Sequence, residues 1–170
     1  METVLSLLKR DGPLLDKVII HSRWIDYDAD YGQKDVSGEV LRSTLVTLHR
    51  LGLGEKTVMV GPHQMYNASP LSIKKRWSKK SKTPKTLEEV FQEYFHEDIL
   101  PTQKLLERVV SEFPEVTFMS GFRAFCSKDL LCKIQTDAGE LAMRDWGHWT
   151  LAGMRMYGKM MREHGILEFH

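Results

Sequence analysis

Cysteine, net charge and long apolar runs are scarce in this 170-residue chain, and each scarcity removes a class of function. Two cysteines, Cys126 and Cys132, do not by themselves make a zinc site. Lysine and arginine number 24 against 23 acids, and the resulting net charge of +1 argues against a strongly basic nucleic-acid binder. No apolar run reaches the roughly eighteen residues that a membrane-spanning helix needs. The opening Met1-Glu2-Thr3-Val4-Leu5 has an acid where a signal peptide carries its basic region. The apolar stretch to Leu8 is also too short for the hydrophobic part of such a peptide, so no export signal is expected here. There is no internal repeat and no low-complexity tract.

What remains is ample material for a core. Hydrophobic residues make up 42% of the chain, and a single domain over 1–170 is the expectation. Val18-Ile19-Ile20 follows a Gly12-Pro13 break and predicts a short buried strand. Leu41, Thr44, Leu45 and Leu48 recur at helical spacing until Gly52 and Gly54, and Thr57-Val58-Met59-Val60 is a second apolar run closed by Gly61-Pro62. Residues 63–85 read as a loop. A helical period then runs through Leu87, Val90, Phe91, Tyr94 and Phe95 and resumes through Leu105, Leu106, Val109 and Val110. Pro101 either kinks one long helix or starts a second. Val116-Thr117-Phe118-Met119 predicts a third strand, and Asp137-Ala138-Gly139 the turn of a small hairpin. Alternation of strands and helices predicts an α/β sandwich of three layers with a mostly parallel sheet. Its ligand site would lie at the carboxyl ends of the strands, where Arg23-Trp24, Gly61-Pro62-His63 and Ser120-Gly121 stand.

One segment reads as chemistry: Asp145-x-x-His148-x-Thr150-x-x-Gly153. An acid three residues before a histidine can fold back to receive the imidazole Nδ1 proton and leave Nε2 free as a base, the division of labour in a serine acyl-transfer triad. The plainer alternative has Asp145 capping a turn and His148 packed between Trp146 and Trp149. Thr150 is a good N-cap, Leu151, Met154 and Met161 share a face, and Gly165 marks a stop, so His148 is expected just before a final helix.

These pieces together, Val18-Ile19-Ile20 with Arg23-Trp24, Val58-Met59-Val60-Gly61-Pro62, Phe113-Pro114-x-Val116-Thr117-Phe118, the two cysteines and Asp145-x-x-His148-x-Thr150-x-x-Gly153, resemble the SGNH hydrolase domain attached to multi-pass membrane O-acyltransferases. The resemblance covers about Leu14 to Met161. It implies an SGNH/flavodoxin-like fold on the extracytoplasmic side of a membrane and O-acylation, commonly O-acetylation, of glycans or other surface acceptors. It also implies Asp145 and His148 as acid and base. The partners it implies are an acyl donor, a carbohydrate-type acceptor and an acyltransferase membrane domain; no metal or organic cofactor follows from such a triad.

The family's Gly-Asp-Ser-His-like block, which carries the nucleophile, has no counterpart before Val18, and the domain therefore reads as N-terminally truncated. Ser6, Ser22, Ser37 and Ser120 are the available substitutes, with Ser22 the best placed, at a strand end but without a Gly-x-Ser elbow. Arg23 could donate to a substrate carbonyl, or pair with Asp26 or Asp28. In the flavodoxin-like order, loss of the family's first strand leaves Val18–Ile20 as an apolar edge, for which self-association or marginal folding is expected. Cys126 and Cys132 would be small buried thiols in a cytosolic chain; in the family's compartment the resemblance implies a disulfide between them. The basic tract of Lys74, Lys75, Arg76, Trp77, Lys79, Lys80, Lys82 and Lys85 reads as a solvated loop, with polyanion binding as its rival. The alternative to an enzyme is a non-catalytic remnant that binds a glycan, a polyanion or a partner protein.

Overall fold

The computed structural model describes residues 3–21, 38–79, 85–163 and 165–166. It divides into two compact units, Met1–Pro62 with Leu100–Ser120 and His63–Ile99 with Gly121–His170.

The first unit is built on a parallel sheet of three strands, β1 (Val18–His21), β2 (Thr57–Val60) and β3 (Thr117–Met119), in the order β1-β2-β3. All four residues of β2 are buried, as its unbroken apolar run requires of a central strand. The one polar member is satisfied: Thr57 Oγ1 donates to Leu53 O at 2.7 Å. Helix α1 (Val4–Asp11) starts where Thr3 accepts from Ser6 N and gives way to a 3-10 turn at Gly12–Leu14. Helix α2 (Glu39–Arg50) turns Leu45 and Leu48 inward. It stops because Gly52, at φ +70°, lets Leu53 N reach back to Leu48 O at 2.9 Å, the Schellman closure. Leu45, Leu48, Leu53 and Met59 form the core with Val109, Val110 and Val116.

Strand β1 departs from the buried strand that its apolar run predicts and takes instead the edge position expected for Val18–Ile20 in the flavodoxin-like order. It stands at one end of the described sheet, Val18 and Ile20 lean on the core, and Ile19 is exposed. It also extends to His21, and β3 begins one residue later than the sequence suggested, with Val116 packed into the core.

The second unit contains α3 (Pro70–Lys79), α4 (Leu87–Gln92), the start of α5 (Ile99–Val110) and α6 (Leu151–Glu163). Helix α3 corrects the loop expected over 63–85. Only Pro70 and Ile73 of this helix are buried, so its apolar stripe is too narrow to show a period. The basic tract is accordingly helical as far as Lys79. Arg76 donates to Tyr94 Oη at 3.1 Å and Trp77 Nε1 to Lys85 O at 3.1 Å, while Lys80 and Lys82 lie outside the described residues. Two separate helices answer the Pro101 question: α4 opens with a Thr86/Glu89 capping box, and Pro101 sits in the first turn of α5, where no intrahelical N–H is required.

The predicted hairpin is present as isolated antiparallel bridges, including Gln135 with Leu141, around Gly139 at φ +77°. In α6 the buried positions are Gly153, Met160 and Met161, while Leu151 is 61% and Met154 53% exposed, which corrects the face assigned to that helix. A glycine packed by its backbone contributes no apolar side chain, and a period counted on side chains cannot find it.

Candidate active site

The Asp145 turn lies wholly within the second unit. Asp145 Oδ1 accepts from Gly147 N at 3.1 Å, His148 N at 3.0 Å and His148 Nδ1 at 2.8 Å. One oxygen therefore closes the turn and orients the imidazole at once, so turn-capping and imidazole-orienting are not competing roles here. These bonds, the Gly147 N–H foremost, hold the Asp145 carboxyl below its ordinary value of 3.8. A depressed carboxylate stabilises the folded turn fully above that value, and the contribution is lost as pH falls through the lower folded one.

The His148 side chain is 67% exposed. Its ring meets Trp146 edge-on at 6.1 Å. Trp149 goes elsewhere, against His63 at 5.4 Å, Phe125 at 5.1 Å and Tyr157 at 5.2 Å, so the imidazole is not sandwiched between the two tryptophans.

The rest of the motif is scaffolding. Thr150 N and Oγ1 both donate to carbonyls of the returning hairpin strand, N to Ala142 O at 2.9 Å and Oγ1 to Leu141 O at 2.8 Å. Thr150 Oγ1 also caps α6 by accepting from Gly153 N at 3.0 Å. Gly153 lies directly against the Ala142 carbonyl. On the other side, Arg144 N donates to His148 O at 2.7 Å, and Tyr66 N and His63 Nε2 hold the carbonyls of Trp146 and Gly147. In the sequence His63 stands only on a candidate loop after the second strand. Its partner is 84 residues away, and no local spacing could reveal it.

Cys126 and Cys132 are joined by a disulfide. From it a ladder of backbone bonds runs to the site: Lys133 N to Phe125 O at 2.7 Å, Ala142 N to Ile134 O at 2.8 Å, then Thr150 N to Ala142 O. Replacing both cysteines by serine is expected to lower stability by about 2 kcal/mol, the loop-closure entropy of so short a ring. Urea unfolding of the wild type and the double variant measures it, and equal midpoints would refute it.

No hydroxyl is hydrogen-bonded to His148 Nε2 among the described residues. Ser6 Oγ pairs with Thr3 Oγ1 at 2.9 Å at the start of α1, and Ser120 follows β3 in the first unit. Ser22, Ser37 and Arg23 lie outside the described residues.

Residues 2–163 match the family described as the SGNH domain fused to AT3 domains. Among solved structures, the chain is similar to the periplasmic domain of a lipopolysaccharide acetyltransferase from Salmonella ser. Paratyphi A. The identity is 19%, with 95% of this chain and 60% of that chain covered and a TM-score of 0.71, so the fold is shared and this chain spans about three-fifths of that domain. No curated protein matches.

Proposed function

The chain belongs to the family of SGNH domains fused to AT3 domains, and on that footing we propose that it serves serine-type acyl transfer with His148 as the base and Asp145 as the acid that orients it. The observation that carries the reading is the 2.8 Å bond from His148 Nδ1 to Asp145 Oδ1, which leaves Nε2 on an exposed imidazole. A serine hydroxyl brought to Nε2 loses its proton to it as Oγ attacks the acyl carbonyl, and the donor's leaving group departs with that proton. The acceptor hydroxyl then gives its proton to Nε2, attacks the acyl-serine and releases the serine. Asp145 stabilises the imidazolium in both steps.

Similarity to a lipopolysaccharide acetyltransferase periplasmic domain supports an acetyl group as cargo, a glycan hydroxyl as acceptor and an extracytoplasmic site. No described helix is long and apolar enough to cross a membrane, and the AT3 membrane domain is the proposed partner that supplies the acyl group. The engagement of Arg76 with Tyr94 and of Trp77 with Lys85 favours this reading over polyanion binding.

With no hydroxyl on Nε2 among the described residues, the chain by itself is expected to be a poor catalyst. Purified protein and its His148→Ala variant should hydrolyse a chromogenic acetyl ester equally slowly, near the buffer rate. Robust turnover lost in the variant would instead point to a serine within the chain, Ser22 first.

A further inference from the structure

The two N–H groups that Asp145 Oδ1 accepts belong to two successive peptide units, and the carbonyl of each is held from the same segment. In the Trp146–Gly147 peptide, the carbonyl accepts from Tyr66 N at 3.2 Å while the N–H donates to Asp145 at 3.1 Å. In the Gly147–His148 peptide, the carbonyl accepts from His63 Nε2 at 3.0 Å while the N–H donates to Asp145 at 3.0 Å. A peptide whose carbonyl is already engaged is the better donor at its N–H, because polarisation at one end reinforces the other. The first chain begins at a backbone amide. The second begins at a side chain.

A carbonyl oxygen has no proton to give, so His63 Nε2 carries the hydrogen of that bond. The ring that carries it is half-buried and rests against Trp149 at 5.4 Å. From His63 the path is continuous: Nε2–H to Gly147 O, through the peptide to His148 N–H, to Asp145 Oδ1, and from Oδ1 back to His148 Nδ1–H. Without the first link, the Gly147–His148 peptide can rotate, and Asp145 loses the N–H that aims its oxygen at the imidazole.

We infer that His63 is a positioning residue of the Asp145–His148 pair, acting through the Gly147–His148 peptide to keep His148 in the Nδ1–H tautomer with Nε2 bare. The inference rests on the reading of that pair as the acid and base of acyl transfer, yet its test requires no activity. The test is nitrogen NMR of the histidine-labelled chain at about pH 8, above the ordinary imidazole value.

The wild type is expected to show His63 as the Nε2–H tautomer and His148 as the Nδ1–H tautomer. A His63 found in the Nδ1–H form overturns the inference with no variant needed. Two variants separate donor from ring. His63→Gln keeps an N–H donor near the Nε2 position and loses the ring; His63→Phe keeps a ring for Trp149 and loses the donor. The expected result is a wild-type His148 signature in the glutamine variant, and in the phenylalanine variant a tautomer ratio shifted about fivefold toward Nε2–H, the factor that one net hydrogen bond supplies. The opposite pattern, or no shift in either, overturns it. Should acyl transfer in a nucleophile-bearing chain prove indifferent to His148→Ala while these signatures hold, the functional reading fails and the structural coupling stands.

Discussion

In a chain to which the Gly-Asp-Ser segment of a related domain has been joined, replacing His148 by alanine is expected to lower ester turnover by about 10²–10⁴-fold, the range that a general base contributes. The three variants at this pair should not be equivalent. Asp145→Ala removes the acceptor of two turn N–H groups and of the imidazole together, so its loss should approach that of His148→Ala. Asp145→Asn is milder. Because a single oxygen takes all three bonds, the asparagine carbonyl can stand in its place, keep the turn and keep the proton on Nδ1. What disappears is the negative charge opposite the imidazolium. A hydrogen bond to a charged group exceeds a neutral one by roughly 1–1.5 kcal/mol, so the expected loss is about tenfold. Steady-state rates of the four proteins on one acetyl ester test the ordering. An active fusion whose turnover ignores both residues would show that the base lies elsewhere.

That pair was legible because its geometry is local. An acid and a histidine three apart, just before a helix cap, can meet through one turn, and no distant part of the fold need be known. Strand β2 was legible for a related reason: a short apolar run from Thr57 to Val60, closed by Gly61-Pro62, is local evidence of a strand, and the fold makes it the fully buried central one of the described sheet. Helix α3 was not, since two buried residues, Pro70 and Ile73, leave no stripe to count. Nor was the inner face of α6, where the deepest contact is made by a glycine. His63 shows the other limit. Its role depends on a bond to Gly147, 84 residues on, created by the fold rather than by any spacing in the chain. The sequence therefore points to Asp145 and His148 and to the Thr150–Gly153 cap behind them, while the bond that His63 makes to their turn emerges from the tertiary structure.

Gly153→Ala should be the most damaging small substitution in the described site, and Gly158→Ala, five residues along the same helix, should do the reverse. Both positions lie inside α6, where alanine ordinarily stabilises relative to glycine by roughly 0.5–1 kcal/mol. At Gly158 a β-carbon would meet nothing within 4 Å among the described residues, and that gain should be realised. At Gly153 it would stand 1.9 Å from Ala142 O and 2.7 Å from Ala142 C. These are backbone atoms, and they cannot swing aside as a side chain would. The same carbonyl accepts from Thr150 N at 2.9 Å, so moving it strains the cap that starts the helix directly after His148. The expected loss is about 3 kcal/mol or more, the upper range of overpacking. The His148 tautomer signature should degrade with it, because Thr150 and Gly153 hold the hairpin against the turn. Thermal or urea unfolding of the two variants beside the wild type gives the test its sign. If Gly153→Ala proved as stable as Gly158→Ala, the close approach of α6 to Ala142 would be wrong, and the Thr-x-x-Gly spacing would need an explanation other than packing.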